Sequence, residues 1–242
     1  MHKHSTFNTF EEAFLGITQH IIDNPEFQTT SRIGDVHEIS GFSYDVLDLS
    51  SFQFKNENIG RLNYDYADKF YQWMVSGAVD HDILLKDYPN VAKFMEKPKS
   101  SDLPANFNTF YGPRILSQLP FIVKELTDHP DTRRAVISII DADDLQLLDK
   151  PDETLEFPCC DSATFFIRDG KLNIHVHMRS QNMGQVLKLD MYLWGRFACE
   201  LAEKLNLPIG KFSSSVVSAH VFKKDFEYLN DLPYSTYNTS KL

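Results

Sequence analysis

The sequence predicts an α+β fold built on one large sheet. Some stretches repeat apolar residues at helical spacing, while others alternate or form short β-branched runs beside turn-forming residues. Strand-like and helix-like stretches are mixed along the chain, without an internal repeat. With 242 residues and 42% hydrophobic side chains, the chain can bury one sizeable core. We therefore expect a single domain over 1–242, with an N-terminal helix in 1–30 and a tail over 229–242.

Helical spacing and turn formers predict the elements of the first half. The stretch 7–23 has an amphipathic pattern and lacks the continuous apolar run of a signal peptide. Gly34 and Gly41 interrupt a loosely alternating stretch, which favours a hairpin. In chain order the predicted elements are a helix over 7–23, a hairpin over 33–49, a helix over 64–77, a surface loop over 96–108 and a helix from Pro113 to Asp128.

The second half is predicted around one strong turn signal. Asp169-Gly170 lies between two apolar stretches and is typical of a two-residue β-hairpin turn. In chain order the predicted elements are a buried strand over 135–140, an acidic irregular stretch over 141–156, hairpin strands over 163–167 and 172–178, a helix over 186–205, a strand over 212–222 and a short helix after Asp225.

Charge and cysteine content narrow the class of protein. The formal net charge of −10 argues against a general polynucleotide binder, although a local pocket for a small anion is still allowed. No window approaches the roughly 20 apolar residues of a membrane helix. The three cysteines are too few and too clustered for a disulfide framework, which favours a reducing compartment. We expect a cytoplasmic protein.

One series of residues carries recognisable chemistry. Cys159 precedes a predicted strand, Arg179-Ser180 begins 20 residues later, Asp190 lies 11 residues beyond Arg179, and His220 follows after 30 more. A cysteine beside a guanidinium group has more thiolate character, which suits covalent attack on an electrophilic carbon. A lone cysteine at a strand start is more often a small buried hydrophobe.

Two further clusters each allow two interpretations. Arg133 and Arg134 open a buried strand and could form a phosphate clamp, or a solvated charge pair with Asp128 and Asp131. Cys159, Cys160, His175 and His177 could converge on a metal. The plainer interpretation, which we adopt, is that the two histidines line a half-buried sheet face and that no metal is bound.

At this point the motifs resemble a known family. They are Asp131-Thr132-Arg133-Arg134, Pro158-Cys159, Asp169-Gly170-Lys171-Leu172, Arg179-Ser180 and His220-Val221-Phe222. Together they resemble the thymidylate synthase superfamily, and the resemblance covers about Arg32 to Tyr228. It implies a thymidylate synthase-like mixed β-sheet with surrounding helices, and a homodimer in which two sheets pack face to face.

The resemblance also implies roles for individual residues. Cys159 would be the nucleophile that adds to carbon 6 of a pyrimidine nucleotide, and Tyr111 would be the active-site tyrosine. Arg179, Ser180 and Arg32 would bind the 5′-phosphate, while Arg133 and Arg134 would reach across the dimer interface into the partner's site. His220 would touch the sugar, and Phe222 stands where the family has a sugar-binding tyrosine.

Asp190 is the position that indicates the base. Thymidylate synthases place an asparagine here, whereas a carboxylate can accept from the exocyclic amine of cytosine and disfavours oxygen 4 of uracil. Asp190 and Met178 resemble the deoxycytidylate and cytidylate hydroxymethylases. That resemblance implies CMP or dCMP as substrate, a hydroxymethyl or methyl transfer to carbon 5, and 5,10-methylenetetrahydrofolate as cofactor.

Two positions depart from the family pattern. Phe70 stands where the family has a glutamate three residues before the tryptophan, and Asn182 stands where it has an aspartate that contacts the pterin. A second hypothesis is therefore a non-catalytic or diverged homologue that binds a pyrimidine nucleotide and lacks folate chemistry.

Overall fold

The fold is a mixed β-sheet accompanied by helices. A computed structural model describes residues 4–31, 33–49, 52, 54, 59, 62–78, 82–89, 111–149 and 157–234. Its seven strands include both parallel and antiparallel pairs. The predicted α+β class with a large mixed sheet is thus confirmed. The chain divides into two compact units, one formed by 1–62 and 165–242 and the other by 63–164; the predicted domain bounds of 1–242 stay a prediction.

The regular elements alternate along the chain. In order they are β1 (His4–Phe7), α1 (Phe10–Asp23), β2 (Phe27–Ser31), β3 (Gly34–Val46), α2 (Tyr64–Ser76), α3 (Asp82–Leu85), α4 (Gly112–Asp128), β4 (Val136–Ser138), β5 (Cys160–Arg168), β6 (Lys171–Asn182), α5 (Leu187–Lys204), β7 (Ile209–Phe222) and α6 (Phe226–Asn230). The boundary between the two units falls inside β5, after Thr164.

Long strands dominate the sheet of the first unit. β3 pairs antiparallel with β7, β7 pairs parallel with β6, and β1 and β2 both pair with β3. The last part of β5 returns into β6 through Asp169 and Gly170, whose φ angles are 51° and 68°. Because glycine and aspartate tolerate this left-handed backbone, the turn forms as predicted and the Asp-Gly hairpin is confirmed.

The predicted hairpin over 33–49 is wrong. These residues form the single 13-residue strand β3, and the hairpin partner of β3 is β2. Gly41 has a φ of 65° and produces a local irregularity rather than a reversal of the chain. The predicted N-terminal helix over 7–23 is present as α1, but the first 30 residues also contain β1 and most of β2, which the sequence did not indicate.

Aromatic packing joins α1 to the sheet and to α5. The Phe10 ring meets the Phe212 ring edge to face at 5.3 Å, and a Cβ on Gly195 would come within 2.9 Å of Phe10 Cε2. α1 begins at a regular cap, since the Thr9 hydroxyl accepts a hydrogen bond from the Glu12 N–H. The burial of these rings and of the α1 apolar face supplies the hydrophobic stabilisation of the first unit.

The second unit is built from α2, α3, α4, β4 and the first part of β5. α2 ends at Gly77 in a left-handed conformation, and a Cβ at that position would lie 2.5 Å from Leu116 Cδ2 of α4. β4 pairs antiparallel with β5, with Ile137 opposite Ala163. The close approach at Gly77 explains why α2 and α4 pack together at this point.

Two predictions in the second unit need adjustment. The predicted strand over 135–140 is only the three-residue β4, and part of the predicted irregular stretch over 141–156 forms a 3-10 helix, Ala142–Asp149. Arg114 forms a bidentate ion pair with Asp144 that fixes this helix. The predicted surface loop over 96–108 lies outside the described residues.

Candidate active site

The first turn of α5 places Asp190 against β6. The side-chain amide of Gln181 donates a hydrogen bond of 2.9 Å to Asp190 Oδ2. Burial raises the pKa of Asp190 to about 7, although the hydrogen bond from Gln181 acts in the opposite direction. Asp190 is therefore a half-buried carboxyl group whose proton equilibrium lies near neutral pH.

The ends of β6 and β7 hold the predicted phosphate and sugar residues side by side. Arg179 and Ser180 follow the buried Met178 on β6, and Ser180 pairs with Ser218 of β7. His220 Nδ1 lies 3.3 Å from the Ser218 carbonyl oxygen and 3.5 Å from Ser180 Oγ. Phe222 is buried, with its ring 5.4 Å from the His220 ring.

The environment of His220 favours a neutral imidazole with a defined hydrogen-bonding role. Burial lowers the pKa of His220, and the positive charge of Arg179 acts in the same direction while Glu38 opposes it. Because a carbonyl oxygen can only accept, the contact with Ser218 assigns the proton to Nδ1. Nε2 is then an acceptor, which suits contact with a hydroxyl group.

The connection from β6 to α5 is stabilised by Asn182. Its side-chain oxygen accepts hydrogen bonds from the Gly184 and Gln185 N–H groups, both at 3.2 Å. Gln185 in turn donates to Asp225 at 2.7 Å. The amide of Asn182 therefore shapes this short turn, and its oxygen is already used as an acceptor.

The predicted nucleophile lies where the sequence indicated. Cys159 is exposed and directly precedes β5, whereas the adjacent Cys160 is buried. The Asp161 carbonyl oxygen accepts a hydrogen bond of 2.8 Å from the Ile139 N–H, which attaches the start of β5 to the chain beyond β4. The interpretation of a small buried thiol thus fits Cys160, and Cys159 is the thiol presented to solvent.

The arginine pair lines an open depression of about 470 Å³ that extends over residues 129–134. Glu125 Oε1 accepts from Arg134 Nε at 3.0 Å and from the Thr132 hydroxyl. The expected partner Asp128 pairs instead with Lys124, which lies one helical turn earlier. Arg133 is exposed and forms no ion pair with any residue that the structure describes.

The remaining predicted positions are less informative. Tyr111 is half-buried at the start of α4, where its carbonyl oxygen accepts from the Ile115 N–H. Arg32 lies outside the described residues. Phe70 is 7% exposed, and its ring contacts those of Tyr66 and Trp73. The position where the resemblance implies a glutamate thus holds an aromatic side chain packed inside the second unit.

The alternative metal site of Cys159, Cys160, His175 and His177 is not found among the residues that the structure describes. Among these residues no group of three or more His, Cys, Asp or Glu side chains could hold a metal ion. His175 is half-buried and hydrogen-bonds Ser215 on the neighbouring strand β7. Burial lowers the pKa of His175. This environment agrees with a histidine on a half-buried sheet face.

The predicted site residues fall into two groups. Within the first unit, the structure brings together Arg179, Ser180, Asp190, His220 and Phe222. The second unit carries Cys159, Tyr111, Arg133 and Arg134. Gln181 was missed by sequence reasoning, although its position directly after Arg179-Ser180 was a usable signal.

Of the helices in the described ranges, none is long and apolar enough to cross a membrane.

Comparison with known proteins identifies relatives. The family model for thymidylate synthase matches residues 48–232. A bifunctional dihydrofolate reductase-thymidylate synthase of Daucus carota is 28% identical over 122 residues, covering 50% of this chain and 21% of that protein. Deoxycytidylate 5-hydroxymethyltransferases of Enterobacteria phages T2 and T4 are each 29% identical over 194 residues, covering 74% of this chain and 75% of the phage protein.

These matches differ in extent. The chain spans about a fifth of the length of the bifunctional relative, and the match to the phage proteins extends over three quarters of their length. The family model covers most of the described residues, including the end of β6 that carries Arg179 and the first turn of α5 that carries Asp190. The mixed sheet, the ordered motifs and the match over 48–232 together establish that the chain belongs to the thymidylate synthase family.

Proposed function

We propose that the protein is a one-carbon transferase that modifies carbon 5 of a cytidine monophosphate, CMP or dCMP, to a hydroxymethyl or methyl product. Asp190 carries this proposal, because a half-buried carboxyl group in the first turn of α5 can accept a hydrogen bond from an exocyclic amine. The names of the phage relatives, deoxycytidylate 5-hydroxymethyltransferases, support the same base.

The ligand's phosphate and sugar would lie along the ends of β6 and β7. Arg179 and Ser180 would bind the phosphate through charged and hydroxyl donors. His220 would accept a hydrogen bond from a sugar hydroxyl through Nε2, in keeping with its protonated Nδ1. Phe222 offers no hydroxyl group and would only pack against the sugar.

The covalent step proposed for Cys159 rests on the family resemblance, and the exposed thiol is compatible with it. The thiolate would add to carbon 6, the carbon 5–carbon 6 double bond would become a single bond, and the electron pair would make carbon 5 nucleophilic. Carbon 5 would then bond the one-carbon unit and lose its proton to solvent, and elimination of the Cys159 thiolate would restore the double bond. Water would complete a hydroxymethyl product, whereas a methyl product would need a hydride from the one-carbon donor. Without a one-carbon donor, the same addition exchanges the carbon 5 proton with solvent.

The resemblance implies 5,10-methylenetetrahydrofolate, which would supply the one-carbon unit when bound. At the two positions where the family has a glutamate and an aspartate, this chain does not offer a carboxylate. Phe70 is packed among aromatic rings, and the Asn182 oxygen accepts hydrogen bonds within its own turn. The side chains at these two positions therefore fit a pterin poorly.

A homodimer completes the proposal. Arg133 and Arg134 would be supplied by the partner subunit to the phosphate, as the resemblance implies, and the depression around Arg133 has the positive charge for this role. Sedimentation of the purified protein would test the assembly.

Release of tritium from carbon 5 of CMP, dCMP, UMP and dUMP would test the function. We expect release from a cytosine nucleotide, its loss in Cys159→Ser and its retention in the matched thiol variant Cys199→Ala. Absence of release from all four nucleotides, with and without methylenetetrahydrofolate, would overturn the proposal. Asp190→Asn should shift the preference toward uracil, and an unchanged preference would remove the argument for cytosine.

A further inference from the structure

Gln181 is a buried polar residue in the strand that carries the candidate phosphate ligands. It is 2% exposed and lies between Ser180 and Asn182 on β6. Its Nε2 donates to Asp190 Oδ2 at 2.9 Å. Its Oε1 is also buried, and it has no hydrogen-bond partner among the described residues. A buried amide left half satisfied is costly, so its orientation is expected to serve a purpose.

The groups beside this pair are neutral, and the first turn of α5 also carries one cation, Lys188. Tyr44 of β3 is 1% exposed, and burial raises the pKa of its hydroxyl group, as does the nearby carboxyl of Asp190. Ser214 of β7 and Gln181 lie beside that hydroxyl, but neither closes a hydrogen bond of regular geometry with it. Lys188, the other titratable group in the first turn of α5, has its ammonium nitrogen 3.3 Å from the Tyr228 hydroxyl.

The hydrogen bond from Gln181 favours the carboxylate form of Asp190. An amide N–H can stabilise a carboxylate oxygen, whereas it gains less from a protonated acid. With Oδ2 held in this way, Oδ1 has no hydrogen-bond partner in the described part of the chain. In its carboxylate form, Asp190 is thereby left with Oδ1 as an acceptor that has no proton to donate.

We infer that Gln181 is a positioning residue that holds Asp190 as a hydrogen-bond acceptor and so makes the site prefer a pyrimidine with an exocyclic amino group over one with a carbonyl oxygen. The inference rests on the proposed function of Asp190 as the base-reading residue. An acceptor facing an amino group gains a charge-assisted hydrogen bond, while an acceptor facing a carbonyl oxygen is repelled.

The effect of the Gln181 hydrogen bond on the titration of Asp190 can be measured without any ligand. Carbon-13 NMR of labelled aspartate carboxyl groups would follow the titration of Asp190 in the wild type, Gln181→Met and the nearly isosteric Gln181→Glu. Loss of the donor should move the Asp190 midpoint upward by about one pH unit in both variants. Gln185→Met is the matched control, since it removes a glutamine-to-aspartate hydrogen bond to Asp225 and should leave the midpoint unchanged. An unshifted midpoint in both Gln181 variants would overturn the inference.

The preference of the site for cytosine over uracil nucleotides can be measured by calorimetry with CMP, dCMP, UMP and dUMP. Gln181→Met should lower the ratio of cytosine to uracil affinity about tenfold, because a charge-assisted hydrogen bond loses its orientation. A purely structural role would weaken all four ligands equally, and an unchanged ratio would overturn the inference. If the Asp190 titration midpoint shifts but the wild type binds no pyrimidine nucleotide, the proposed function is wrong, while the effect of the Gln181 hydrogen bond on Asp190 is confirmed.

Discussion

The ammonium nitrogen of Lys188 lies 4.7 Å from the centroid of the Phe14 ring, and both side chains are buried. Lys188 is in the first turn of α5, where the helix dipole is positive and a cation is disfavoured. Burial lowers the pKa of Lys188 to about 8 from its usual 10.5. The contacts with the Phe14 and Tyr228 rings and the Tyr228 hydroxyl offset part of that penalty.

Replacing Lys188 should stabilise the protein at neutral pH. Because the unfolded chain binds the lysine proton more tightly, the free energy of unfolding rises between pH 8 and about 10.5 in the wild type. Lys188→Met removes the buried charge and should gain about 1–3 kcal/mol at pH 7, with the gain shrinking toward pH 10. Urea denaturation at several pH values measures this, with the exposed Lys204→Met as control. A loss of stability at pH 7 would contradict the expected sign.

Asp190→Asn should also be stabilising, with the opposite pH dependence. A carboxyl group with a folded pKa of about 7 and an ordinary pKa of 3.8 loses its favourable contribution as pH rises through that interval. Asparagine keeps the shape and can still accept from Gln181, so we expect a gain of about 1 kcal/mol at pH 8 and almost none at pH 4. Thermal unfolding at the two pH values provides the measurement, and an equal gain at both would show that charge is not the cause.

Glu125 should compete with a phosphate for Arg134. The carboxylate lies 2.9 Å from Arg134 Nη2, whereas Arg133 has no ion pair with the described residues. Neutralising the competitor in Glu125→Gln should tighten CMP binding by about two- to tenfold. Calorimetry would measure the change, and Glu200→Gln, which breaks the exposed pair with Arg196 on α5, serves as the control. Equal affinities in wild type and Glu125→Gln would remove the argument.

Gly77 should tolerate alanine less well than Gly170. Both have positive φ angles, 75° and 68°, so alanine strains the backbone at either position. Only at Gly77 would the new Cβ meet a neighbour, Leu116 Cδ2 at 2.5 Å, while nothing lies within 4 Å at Gly170. Chemical denaturation should give a loss of about 1 kcal/mol for Gly170→Ala and about 1–2 kcal/mol more for Gly77→Ala. Equal losses would mean that Leu116 moves aside without penalty.

Sequence-based prediction succeeded where structure is determined locally. The Asp169-Gly170 turn, the start of α4 near Pro113 and the position of Cys159 before β5 depend on a few adjacent residues. The five motifs between Asp131 and Phe222, including Pro158-Cys159 and Arg179-Ser180 on either side of the Asp-Gly turn, indicated the family, which the family model confirms.

The failures concern features set by distant parts of the chain. β1 is four residues long and exists because it pairs with Ser43–Val46, some 39 residues away. Gly41 looks like a turn in the sequence, but pairing of β3 with β2 and β7 keeps the strand continuous. The role of Gln181 depends on which face of β6 is turned toward α5, and the motif alone does not specify this.

The turn that Asn182 stabilises fixes the spacing between Arg179 and Asp190. Only residues 183–186 separate the end of β6 from the start of α5, and two of their N–H groups are bound by one side chain. The group that would hold a phosphate and the group that would read a base are thus kept a fixed distance apart. This spacing should therefore disfavour binding of a nucleoside, which is too short, and of a nucleoside triphosphate, which is too long.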